Sequence, residues 1–60
     1  MSAHRETLEA ATMGELLPRI MEITQAAVER GDGCHVHATR LPDGRRRVEV
    51  ATWREDPAAE

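Results

Sequence analysis

Three potential metal ligands crowd into four residues. Cys34, His35 and His37 spell C-H-x-H, a set of thiolate and imidazole donors suited to zinc or copper. The stretch that carries them, Cys34 to Arg40, alternates in polarity with a period of two, as a half-buried strand does. On a strand, successive side chains point to opposite faces, so Cys34 is turned away from both histidines. His35 and His37 share a face, and Glu49 can join them from a neighbouring strand. A fourth ligand would have to come from His4 or a second subunit. Structural zinc sites use four ligands at recognised spacings, and this pattern is not one of them. His35, His37 and Glu49 are therefore candidate ligands only, and no cofactor is expected.

Covalent catalysis finds little support. A nucleophilic cysteine needs a base beside it and a positive surrounding, whereas Cys34 is expected on an apolar strand face with valines. The sole serine, Ser2, stands at the start of the chain, and no phosphate-binding glycine pattern occurs. The expectation is a protein that is not an enzyme.

The densest charge is Arg45-Arg46-Arg47, with Arg40 nearby. A basic hairpin can grip phosphates or enter a major groove, and nucleic-acid binding is the second reading. The same arginines suit an acidic groove on a protein, or simply guard a sheet edge. Trp53 is the only aromatic residue, too few for stacking on single-stranded bases but a good anchor for an interface. Arg45, Arg46, Arg47 and Trp53 are thus the candidate interaction residues, with Arg47 and Trp53 on one face and expected to dominate.

The elements that position these residues follow from periodicity. Leu16, Ile20, Ile23 and Ala27 recur at helical spacing, with Met13, Leu17, Thr24 and Val28 widening the stripe. This predicts an amphipathic helix over about 15–30, ended by Gly31. Thr12 and Glu15 spell a capping box that would start it earlier, but Pro18 favours a start near Glu15, where the proline falls in the first turn. A β-hairpin is predicted over about 34–41 and 45–53. Leu41-Pro42-Asp43-Gly44-Arg45 reads as its loop, a type I turn closed by a left-handed glycine. That loop sets Val36 opposite Val50, Ala38 opposite Val48 and Cys34 opposite Thr52, all on one face. Residues 1–13 are expected to be loose or a short helix, and 54–60 a disordered tail.

The fold class is therefore α+β, a single small domain over 1–60. At 60 residues a chain hides only about 60% of its unfolded surface, and a core this small needs a staple. A lone cysteine excludes an internal disulfide. The helix stripe also offers more apolar area than a hairpin can cover, so completion by homodimerisation is expected.

Net charge is −3, divided as −2 over residues 1–30, +2 over 31–54 and −3 over 55–60. All eight basic residues other than histidine are arginine, a usage expected of a GC-rich bacterial or phage genome. No secretory signal or apolar run of membrane-spanning length is apparent, so the expectation is a cytoplasmic protein with no membrane partner. The leading expectation for function is a small dimeric protein–protein interaction module, of the regulator, inhibitor or accessory-subunit kind.

Overall fold

A computed structural model describes residues 3–54. The elements run β1 (Ala3–Ala10), α1 (Met13–Arg30), β2 (Gly33–Arg40) and β3 (Arg46–Trp53). The strands form one antiparallel sheet in the order β1-β3-β2, with β3 central and an edge strand on each side. The α+β class and the helix-then-hairpin order match the sequence reading, and the tail from residue 55 onward lies outside the described residues.

The stretch at residues 1–13, expected to be loose or helical, contains strand β1 instead. Its half-buried residues Glu6, Leu8 and Ala10 alternate with exposed Arg5, Thr7 and Glu9, so the strand period is present but carried by few apolar side chains. Alanine, glutamate and leucine favour helix locally. The free edge of β3 overrides that preference: Glu6 lies opposite Val50 and Leu8 opposite Val48, which supplies hydrogen bonds to β3 and cover for its valines.

Only Ala11 and Thr12 separate β1 from α1. The Glu15 carboxylate accepts hydrogen bonds from the Thr12 backbone N–H at 3.0 Å and from its hydroxyl at 3.1 Å. This cap starts the helix two residues earlier than the preferred reading, at Met13, and leaves Pro18 inside it. Pro18 has no N–H to donate to the Gly14 carbonyl. Both residues are exposed, so water can satisfy that oxygen, which makes the interior proline tolerable. At the other end Gly31 adopts φ 77°. There the Asp32 N–H reaches Ala27 O at 2.8 Å and the Gly31 N–H reaches Val28 O at 3.0 Å, which consumes two terminal carbonyls.

The hairpin register is the predicted one, with Val36 opposite Val50, Ala38 opposite Val48 and Cys34 opposite Thr52. Gly44 at φ 89° donates to Leu41 O at 2.9 Å, and Leu41 N–H donates to Arg45 O at 2.8 Å. The Asp43 carboxylate accepts from the Arg45 N–H at 3.0 Å, which steadies the loop.

Helix α1 covers one face of the sheet. Leu16 and Ile20 pack with Val48 and Val50, and Leu8, Ala10, Met13 and Ile23 close around them. Arg19 clamps the helix to β1 by a two-pronged pair to Glu6, at 2.9 and 3.0 Å, and also bonds Glu22. These hydrogen bonds, Glu6 first and then Glu22, raise the Arg19 guanidinium pKa above its ordinary value.

Candidate functional site

The helix cannot cover the whole sheet, and what it leaves bare defines the functional surfaces. It begins beside the end of β1 and finishes beside the start of β2, so it crosses the sheet obliquely. The second half of β2, from Val36 to Arg40, is consequently exposed on both faces, while Val48, Val50 and Thr52 of β3 are buried.

On the face without the helix lie Arg5, Thr7 and Glu9 of β1, Arg47, Glu49, Ala51 and Trp53 of β3, and His35, His37 and Thr39 of β2, as the register dictates. Its charges are largely paired. Arg47 Nε donates to Glu9 at 2.9 Å, and Arg5 stands 3.9 Å from Glu49. Glu49 is opposite His37 as the sequence implied, yet the side chain it pairs with is Arg5. Cys34 is a half-buried free thiol on the other face, less enclosed than the sequence reading anticipated. Among the described residues no group of three or more His, Cys, Asp or Glu is placed to hold a metal ion, so His35, His37 and Glu49 are not assembled into a site.

The candidate interaction residues are dispersed. Arg47 and Trp53 share the open face, but six residues of strand separate them, about 20 Å. Trp53 sits at the end remote from the hairpin loop, opposite Ala3 and Gly33, and is 38% exposed. Arg46 is on the helix side of β3, opposite both Ala10 and Arg40, and Arg45 is exposed in the loop. Among the described residues, Arg40, Arg45 and Arg46 form no ion pair. The hairpin end therefore carries three guanidinium groups outside any ion pair, with the Asp43 carboxylate in the same loop taken up by the Arg45 N–H, whereas Arg47 is engaged by Glu9.

One feature was absent from the sequence reading, and a second was expected there only as excess apolar area on the helix. A cavity of about 510 Å³ lies at the Trp53 end, lined by His4, Arg30, Asp32, Thr52, Trp53 and Arg54, with Arg30 Nε donating to Asp32 at 2.9 Å. His4 reaches this cavity only because β1 is a strand, so its role was hidden with β1. The second is a band of exposed apolar side chains on α1, namely Leu17, Met21 at 62% and Val28 at 67% exposure. Its signal was the excess width of the helix stripe.

Compared with protein-family models, curated proteins and solved structures, the chain has no significant match. Geometry and chemistry alone carry the functional reading. Among the described residues no helix is long and apolar enough to cross a membrane.

Proposed function

We propose that this protein is a small, non-catalytic interaction module, of the regulator, inhibitor or accessory-subunit kind found in bacteria and phages, acting as a homodimer in the cytoplasm. The observation that carries the reading is that, among the described residues, four of the five exposed large hydrophobic side chains, Leu17, Met21, Val28 and Val36, belong to α1 and the half of β2 it leaves bare. Contiguous apolar surface rimmed by polar residues marks an interaction site, and a 60-residue unit has little stability to spare without a partner. The open face, with its paired charges and Trp53 at one end, then remains for a different protein, Trp53 serving as the anchor and Arg47 as a contact nearer the hairpin.

Sedimentation equilibrium at micromolar concentration should return twice the chain mass. A monomer that unfolds cooperatively at a temperature independent of concentration would refute the dimer. For the partner face, Trp53→Ala should release the protein that co-purifies with the wild type, and Arg46→Ala should retain it. The reverse order moves the partner to the hairpin.

One observation favours a second reading, a nucleic-acid-binding regulator. Among the described residues, Arg40, Arg45 and Arg46 leave three guanidinium groups at the hairpin end outside any ion pair. A gel shift on random-sequence DNA at increasing salt separates the readings, since only phosphate binding gives a steep salt dependence.

A further inference from the structure

The two edges of the sheet differ in a way that assigns the apolar band an occupant. In an antiparallel ladder, residues alternate between pointing their N–H and C=O towards one neighbour and away from it. The Leu41 N–H donates to Arg45 O, which sets the phase: odd-numbered residues of β2 bond to β3, and Cys34, Val36, Ala38 and Arg40 direct their amides outward. Through β3 the same phase reaches β1, whose outward amides belong to Ala3, Arg5, Thr7 and Glu9. Edge strands are normally guarded by charge. The β1 edge has Arg5 and Glu9 spread along its outward positions, whereas the β2 edge has a charge only at its hairpin end, Arg40, and leaves Cys34, Val36 and Ala38 unguarded.

The apolar flank of α1 lies on the side of this unguarded edge. Side chains two residues apart on a helix are separated by about 200°. Arg19 is clamped to Glu6 on β1, so Leu17 and Met21, two residues to either side of it, occupy the opposite flank. With β3 central, that flank faces β2. The bare amides of β2, the exposed Val36 and Ala38 beside them, and the helix band above form one continuous surface.

We propose that this surface binds a second copy of the chain, β2 against β2 in antiparallel register about a two-fold axis at His37. The inference rests on the dimeric reading and gives its geometry. In this register Val36 meets the partner's Ala38 and Cys34 meets the partner's Arg40. All four outward residues of each copy are then paired, about eight backbone hydrogen bonds in total. A register shifted by two residues in either direction leaves an outward amide at one end without its opposite number. The two sheets merge into one of six strands with both helices on the same face. The two β3 strands stand three strand spacings apart, about 14 Å, a little more than the 10–12 Å diameter of a helix with its side chains. Leu17 and Met21 from each copy fill that interval above Val36 and Ala38. The pairing is isologous, so it closes at two copies rather than extending into a fibre. It also leaves the open face and Trp53 accessible.

The test is register-specific cross-linking. At the axis, His37 faces the partner's His37 as a non-hydrogen-bonded pair with Cα atoms about 4.5 Å apart, within reach of a disulfide. In a Cys34→Ala background, His37→Cys should oxidise almost completely to a covalent dimer. His35→Cys should not, since its two copies would be about 14 Å apart. Ala38→Pro removes an outward N–H and none that bonds β3, so it should keep the far-ultraviolet circular dichroism of the fold and weaken the dimer at least tenfold. If the proline unfolds the chain, Ala38→Lys places a charge at the same seam and should give the same weakening. A wild-type monomer overturns both the dimeric reading and this geometry, and leaves the edge for a strand of a different protein. A dimer that survives both Ala38 variants, or that cross-links at position 35 and not at 37, overturns the edge pairing alone.

Discussion

Val50 and Val36 face each other across the β3–β2 ladder on the helix side of the sheet, so the same substitution at each reads how far α1 extends. Val50 is 0% exposed and Val36 is 40% exposed. Val50→Ala removes two buried methyl groups, about 1.6 kcal/mol of transfer free energy at ~0.8 kcal/mol each. The cavity adds about 1 kcal/mol, for roughly 40 Å³ at ~24 cal/mol per Å³. A total of about 2.5 kcal/mol is at least half of the ~3–5 kcal/mol that a core of this size supplies. Val36→Ala should cost about 1 kcal/mol in the single chain, because part of its side chain is already in water and no closed cavity forms. Urea unfolding followed by circular dichroism at about 1 μM and 100 μM measures both. Where two copies associate, Val36 becomes covered, and its cost should climb towards that of Val50 at the higher concentration. Equal losses at both positions under dilute conditions would refute the reasoning, since α1 would then cover β2 as fully as β3.

Other expectations concern the helix and the hairpin. Pro18→Ala restores a donor for the Gly14 carbonyl and should raise stability by up to ~3 kcal/mol, seen as a higher melting temperature. Glu6→Gln removes the charge from the two-pronged pair to a half-exposed Arg19 and should lower the melting temperature slightly in low salt, with the loss shrinking in 0.5 M salt. If the chain binds DNA, Arg45→Ala and Arg46→Ala should each lower the slope of log affinity against log salt by about 0.7–0.9, and Arg47→Ala, whose guanidinium is engaged by Glu9, by less.

Local chemistry determined much of the fold from the sequence alone. The Leu41-Pro42-Asp43-Gly44-Arg45 loop defines its own turn, and through that turn the pairing of every residue in β2 and β3. Gly31 ends the helix for an equally local reason, its access to positive φ. What the tertiary structure alone decided is β1. Leu8 and Ala10 are too few apolar side chains to announce a strand, and residues 3–10 became one because β3 had an unpaired edge and buried valines to cover. That same choice set Arg19 against Glu6, tilted the exposed band of α1 towards β2, and brought Glu9 to Arg47 and Arg5 to Glu49. Glu9 and Arg47 are 38 residues apart in sequence, and no local pattern records such a pair. Strand phase is readable from a turn, whereas the neighbour that fills a sheet edge is chosen by the energy of the whole assembly.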